Sequence, residues 1–573
     1  MRSLLCALLA APLVALPARA QQDTTAADPA LPEIAPREVE IRGELDISLP
    51  ALQRPSGTEL LPASPPQPLP PAPLPDPGPV EPPAGAAPRA LPGEAGAPSG
   101  FADLPASRTG LVEAGAGRYL SRFARVRLEQ ALTSRWALHS RLDYTGTDGF
   151  APFDAENVET PADELRGTVT LRTERSALTA ALTADGFFGQ HRLYGARTLN
   201  DEVVPSPDRD RYGGGAELHV QAGGGTGATL KARARLGAAR VRTELGAGGG
   251  ARSELSEQRA AVELNGGAPV GGMRAEASVH GSTARRPGAL SDSASRPNVS
   301  FLDAGTGVWI RRGGELRIFT GARALTFSGT EAGGPFFVPD VRLTWQATPR
   351  LALYARTDPH AAANRLAARD RENPSLLYES APQPNVFTLD AEGGLRFFPV
   401  PALELSAFAG YRRAPSFLFY EEESTRRYAQ GVTEARYGEA RILRAGGGLS
   451  LQRGRGLNAS LSVAYRRGRL EGSDAAIPYF SPLTAEALLS YAFLDGDGHV
   501  RLTGSLESTR PVARTGDAEV GLFADLDVEG HYALTPSVGL VLELKNLPAG
   551  ALERFDRYPR PPLVIQGGLR LRL

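Results

Sequence analysis

Residues 457–466 read Leu-Asn-Ala-Ser-Leu-Ser-Val-Ala-Tyr-Arg. In an extended chain Leu457, Ala459, Leu461, Val463 and Tyr465 point to one side, and Asn458, Ser460, Ser462 and Arg466 to the other. The result is a strand with one apolar and one polar face. This pattern recurs from about Arg108 to Leu573 in segments of roughly ten residues, the length of a strand that crosses a bilayer at a tilt. Leu165, Gly167, Val169 and Leu171 oppose Arg166, Thr168, Thr170 and Arg172. Val538, Leu540, Leu542 and Leu544 oppose Gly539, Glu543 and Lys545. On this reading the charged positions, with Arg570 and Arg572, line a watery interior.

A soluble sandwich alternates too, so the connections decide. Tight turns recur at Thr133–Arg135, Glu174–Ser176, Gly223–Gly225, Asn265–Gly267, Arg312–Gly314, Thr348–Arg350, Pro399–Pro401, Arg453–Gly456, Asp495–Gly498 and Thr535–Ser537. Longer polar connections lie between them, the clearest at Gly146–Asp163, Gly195–Asp210, Ala284–Asn298, Asp358–Asn385, Phe419–Arg436, Glu471–Tyr479 and Leu547–Pro561. Short and long alternate, as in outer-membrane barrels with periplasmic turns and extracellular loops. The fold class is therefore all-β, an antiparallel up-and-down transmembrane barrel over 106–573 of about 22 strands, with N- and C-termini periplasmic. No water reaches the backbone inside a bilayer, so such a sheet must close on itself. Tyr144, Phe187, Tyr354, Phe397, Tyr411, Tyr465 and Tyr491 fall near strand ends, where aromatic girdles meet the membrane surface.

Upstream of this the chain changes character. Arg2, the apolar run Leu4–Leu16 and the small-x-small site Ala18-Arg19-Ala20 read as a signal peptide over residues 1–20, too short to span a membrane. Residues 21–105 read as a periplasmic tether, whose proline-rich stretch Pro62–Pro79 favours extended polyproline II. One segment of it is different. Val39, Ile41, Leu45, Ile47 and Leu49 alternate with Glu38, Glu40, Arg42, Glu44, Asp46 and Ser48. A lone amphipathic strand is not stable in water, so 38–49 is expected to pair with a partner or to stay disordered like the proline-rich segment around it.

Several function classes drop out. Charges balance to a net −1, which argues against a nucleic-acid binder. The single cysteine, Cys6, lies in the signal peptide, so no disulfide or thiol chemistry is expected. The seven histidines show no metal-ligand spacing. Asp358-Pro359-His360 and Asp497-Gly498-His499 place acid beside base, but read as a solvated loop and a tight turn. Glycine runs such as Gly213–Gly215 lack the strand-loop-helix setting of phosphate loops. No catalytic residue, cofactor or metal is expected, and the chain is not read as an enzyme.

The last strand, Leu563–Leu573, resembles the C-terminal insertion signal that outer-membrane proteins present to the barrel-insertion machinery, matched by Gln566, Gly568, Leu571 and Leu573. Leu573 stands where an aromatic is usual. The tail Leu544-Lys545-Asn546-Leu547, Leu552–Pro559 and Gly568–Leu571 is similar to the closing hairpin of TonB-dependent receptors. Tyr411–Ser416 resembles their "FRAPS" strand end, and Gly115–Tyr119 their "GxGxY" first hairpin. These receptors carry a folded plug before the barrel, and here a proline-rich tether takes its place. The resemblance implies a plug-less barrel in contact with outer-membrane lipids, for passage or uptake of an unidentified solute. Inward-folded loops, above all Asp358–Asn385 and Phe419–Arg436, the tether, or a separate subunit are expected to fill the lumen. Heme uptake is not implied, since the histidines after Pro415, His499 and His531, lie far along the chain. The alternative is a binding or structural barrel without transport. It would dock a periplasmic or plug partner by strand addition through 38–49.

Overall fold

The computed structural model describes residues 110–573 except 134, 153–159, 176, 196–206, 224–226, 245–251, 286–297, 313–314, 331–332, 378–382, 423–430, 454–455, 549 and 551. The signal peptide, the tether and the segment Val39–Leu49 lie outside the described residues.

Twenty-two antiparallel strands form one closed ring. They are β1 (Gly110–Gly117), β2 (Arg122–Thr133), β3 (Trp136–Thr147), β4 (Ala162–Arg175), β5 (Leu178–Arg192), β6 (Asp208–Ala222), β7 (Thr229–Glu244), β8 (Arg252–Val270), β9 (Met273–Arg285), β10 (Val299–Arg312) and β11 (Leu316–Ser328). The second half comprises β12 (Phe336–Thr348), β13 (Leu351–Thr357), β14 (Leu389–Val400), β15 (Leu403–Glu422), β16 (Thr433–Arg453), β17 (Leu457–Leu470), β18 (Leu483–Phe493), β19 (Gly498–Glu507), β20 (Phe523–Ala533), β21 (Val538–Lys545) and β22 (Val564–Arg572). Each pairs with its neighbours in sequence, and β1 pairs with β22 from Leu111↔Arg572 to Gly117↔Gln566. Closure leaves no open sheet edge.

The faces are inverted relative to a soluble sandwich. Leu182, Leu218, Leu264, Leu461, Leu542 and Leu569 are all exposed outward. Charged residues such as Glu113, Asp340, Glu392 and Arg444 are buried on the inside. A water-soluble protein would not turn an unbroken apolar belt to solvent, whereas a bilayer covers it. Tyr144, Phe397, Tyr411, Tyr465 and Tyr491 share the outward face. Two expected girdle residues do not: Phe187 alternates inward between Phe188 and Gly186, and Tyr354 donates a 3.1 Å hydrogen bond to Glu392 in the lumen.

Some turns sit elsewhere than the sequence suggested. Asn265, Gly266 and Gly267 continue the β7–β8 ladder opposite Lys231, Leu230 and Thr229. The reversal comes at Gly271-Gly272, whose φ values of +54° and +82° suit a two-residue hairpin. The Tyr411–Ser416 motif lies within β15 rather than at its end. Pro415 has no N–H to donate, and the ladder slips there by a bulge between Ala414 and Phe417. Beyond the bulge β15 runs on to Glu422, so the connection expected at Phe419–Arg436 shrinks to 423–432.

Candidate functional site

The connection 358–388, between β13 and β14, turns into the barrel mouth. It begins as a small ladder in which His360–Ala362 pairs with Asn385–Phe387, and Val386 bridges to Ser416 of β15. The His360 ring packs at a tilt against Phe387, 4.9 Å between centroids, and its Nδ1 lies 2.7 Å from the backbone oxygen of Asp358. The segment read from sequence as a solvated loop is thus packed into a ladder. Beyond comes a seven-residue helix, α1 (Leu366–Glu372), the only α-helix among the described residues.

Helix α1 is held from both sides. Toward β6–β8, the Asp370 carboxylate accepts from Arg209 Nη1 at 3.3 Å and from Arg211 Nη1 at 3.3 Å. Arg209 also donates to Pro374 O at 2.9 Å, and through Nε to Thr243 at 3.0 Å. Arg209 and Asp370 are both 0% exposed. Toward β15 and β16, Tyr420 donates to Glu372 Oε2 at 3.0 Å, and Asn373 Nδ2 donates to Thr433 Oγ1 at 2.6 Å. Asn373 Oδ1 in turn accepts from the Ser375 amide and hydroxyl, so one side chain ends the helix and fixes the next turn. Leu376–Leu377 then adds a short parallel pairing to Thr433–Glu434.

An apolar cluster fills the space around these bonds. Leu366 and Leu376 from the connection meet Val241 and Leu255 on one wall, Leu418, Tyr420 and Ala435 on another, and Phe555 and Tyr558 from the β21–β22 connection. Full burial of each leucine contributes roughly 1.5–3 kcal/mol. β7 and β16 stand nine places apart in the ring of 22, almost across it. The connection 358–388 is thus a strap that bridges opposite walls of the mouth. Burial pushes the Glu372 carboxyl up to about 7, against the lowering effects of the Tyr420 hydroxyl, Arg554 and Arg369.

Below the strap the lumen wall carries matched charges. Arg125 reaches Glu543 at 2.6 Å and Glu113 at 3.6 Å, and Arg570 reaches Glu113 at 2.6 Å. Lys545 meets Glu543 at 3.0 Å and Gln566 at 3.1 Å. These contacts knit β1 and β2 to β21 and β22, the two ends of the ring. Further round, Arg444 joins Asp390 and Glu392 at 2.7 and 2.9 Å, and Arg323 joins Asp303 and Asp340 at 3.0 and 3.2 Å. Arg166 and Arg172 pair with Glu164 and Glu174. The wall is polar and mixed in sign.

Of the sequence-predicted positions, Gln566 and Gly568 point into the lumen seam, while Leu571 and Leu573 lie outward on the lipid face. His499 shares a 2.8 Å hydrogen bond with Ser490 and stacks on His531 at 6.1 Å, on the lumen wall near the short turns. No group of three metal-ligating side chains occurs among the described residues. The residues that anchor the strap, Arg209, Arg211, Thr243, Asp370 and Glu257 (which accepts from the Leu366 amide at 3.4 Å), were not singled out from sequence. The one signal was Leu366-Ala-Ala-Arg-Asp-Arg-Glu372, a helix-favouring run inside the longest loop of an otherwise β-patterned chain.

No family model and no curated protein sequence matches the chain. Solved structures do. The copper transporter OprC is 15% identical, with a TM-score of 0.57 over 81% of this chain and 80% of its own. A mutant of the ferric enterobactin receptor PfeA of Pseudomonas aeruginosa is 12% identical, with a TM-score of 0.60 over 81% and 80%. FpvAI in its complex with pyocin S2 is 12% identical, with a TM-score of 0.58 over 81% and 73%. At such identities the likeness is one of backbone architecture. The fold of this chain is the twenty-two-stranded barrel of the TonB-dependent receptors.

Proposed function

We propose that this chain is an outer-membrane barrel for passage or uptake of a solute, with its mouth occluded by the strap 358–388. The observation that carries the reading is the Arg209–Asp370 clasp, which fixes α1 against β6–β8 while Asn373 and Leu376 fix the strap to β16. A barrel of this size encloses a lumen that needs filling. A plug-less chain needs that filling from its own loops, its tether or a separate plug subunit. In this reading the short turns and both chain ends face the periplasm. Strand 38–49, tethered by proline-rich sequence, offers Val39, Ile41, Leu45, Ile47 and Leu49 to a periplasmic or plug partner's sheet edge.

Single-channel conductance in a planar bilayer tests the occlusion. The full chain is expected to stay closed or nearly so, and Asp370→Ala combined with Leu366→Ala to give large, stable openings. Removal of 21–105 then separates the contributions: openings only on that deletion would move the occlusion from the strap to the tether. A silent barrel in every variant would favour the docking role without transport.

A further inference from the structure

At the long-loop end, where the outward face leaves its apolar belt, three neighbouring strands carry arginine at one level. Arg413 of β15 stands opposite Arg441 of β16, and Arg441 stands opposite Arg469 of β17. Arg467, one outward step lower on β17, faces Leu443. These side chains share the outward parity of Leu443 and Tyr465, which are 52% and 50% exposed. Arg412, Arg444 and Arg466, alternating with them, turn into the lumen. Arg413 lies two residues beyond Tyr411, and Arg469 four beyond Tyr465. At about 3.3 Å per residue and a tilt of roughly 45°, the row stands ~5–10 Å above the aromatic level, at the depth of lipid headgroups.

Like charges directly opposite on adjacent strands repel one another. Glu471 meets Arg441 and, at 3.4 Å, Arg413, while Arg469 donates to the backbone oxygen of Asp474 at 2.6 Å. Among the described residues Glu439 and Asp474 are the other carboxylates near the row, so there four guanidiniums face three acids, a net positive charge. Two outward arginines elsewhere on this rim are matched: Arg122 reaches Asp148 and Asp163 at 2.9 and 3.2 Å, and Arg240 reaches Glu254 at 3.1 Å.

We propose that the row Arg413–Arg441–Arg469, with Arg467, binds the phosphate groups of an anionic glycolipid of the outer leaflet and holds it against β15–β17. The proposal rests on the outer-membrane reading above. A guanidinium fork matches phosphate oxygens two at a time, and a lipid phosphate supplies the negative charge that the row lacks. Tyr411, Leu443 and Tyr465 directly below offer the apolar surface against which acyl chains pack.

The test uses the full-length chain recovered from the outer-membrane fraction, delipidated in mild detergent. It is titrated with diphosphorylated lipid A, with dephosphorylated lipid A and with inorganic phosphate. The diphosphorylated lipid is expected to bind about tenfold or more tighter than either of the others. Combined Arg413→Gln, Arg441→Gln and Arg469→Gln should abolish that preference, the corresponding lysine triple should retain part of it, and Arg240→Gln should retain all. Should the glutamine triple fail to assemble, Arg441→Gln alone is expected to lose about threefold. Equal binding of the two lipids, inorganic phosphate binding as tightly, or a glutamine variant with its preference intact overturns the proposal. A chain absent from the outer-membrane fraction refutes the location as well, whereas correct location without phosphate preference refutes the lipid site alone.

Discussion

Arg209 and Asp370 are 161 positions apart in the chain and wholly buried together. Removing one partner of such a pair strands the other charge, at a cost of about 3–5 kcal/mol, whereas replacing both with apolar groups can be close to neutral. Asp370→Leu is therefore expected to release the strap, read as rapid protease cleavage within 363–388 in the assembled barrel. Arg209→Met combined with Asp370→Leu should recover much of the protection, with Arg211 then left to Glu164 at 3.2 Å. No recovery in the double variant would mean that the Arg211 contact dominates. Glu372 adds a pH dependence. Its carboxyl titrates near 7 when docked and near the ordinary 4.5 when released. The docked strap thus keeps a proton that the released strap loses between these values. Docking is strongest below pH 4.5, weakens as pH rises toward 7, and is flat above it. Once the intrinsic rise of amide exchange, about tenfold per pH unit, is divided out, the opening equilibrium of residues 366–377 should still rise across that window by up to about tenfold per pH unit. Glu372→Gln should remove the slope, and a slope that survives it would place the titration elsewhere.

Among the elements, what the sequence made legible was whatever depends on period and punctuation. Alternation such as Leu457–Arg466 has only one way to bury or wet its faces, so strand faces and number follow from it. Where the reading failed, two local signals competed. Asn265-Gly266-Gly267 carries a turn composition, but Gly271-Gly272, a few residues on, satisfies the hairpin geometry and lets β8 keep pairing. Pro415 suggested a strand end, yet a bulge absorbs its missing donor. The strap was legible only as a long connection expected to fold inward. Its anchors were not, because Asp370 meets Arg209, and Asn373 meets Thr433, through the closure of the ring, and no spacing along the chain encodes that. The arginine row was hidden for the same reason: Arg413, Arg441 and Arg469 become neighbours only by register.

The whole molecule depends on the seam where its first and last strands meet. Gly115 lies opposite Gly568 there, and a Cβ at Gly568 would sit 2.4 Å from the Ala114 oxygen. At Gly567, on the other face, a Cβ meets nothing within 4 Å. Gly568→Val is accordingly expected to block closure, seen as loss of the compact, heat-modifiable band on electrophoresis, while Gly567→Ala assembles normally. Normal assembly of both would show that the seam tolerates a shifted register. The lipid-facing belt and the charged lumen are properties of the closed ring, since only closure decides which face is inside.

The strap has one more effect, and it is mechanical. A ring of strands joined only to immediate neighbours resists stretching along its circumference, yet it flattens easily into an oval. By tying β6–β8 to β15 and β16 across the mouth, helix α1 acts as a cross-brace. While it is seated the two walls keep a fixed separation. A molecule that wedges them apart must first pull the brace loose, so the force needed to deform the rim and the force needed to open it are the same force.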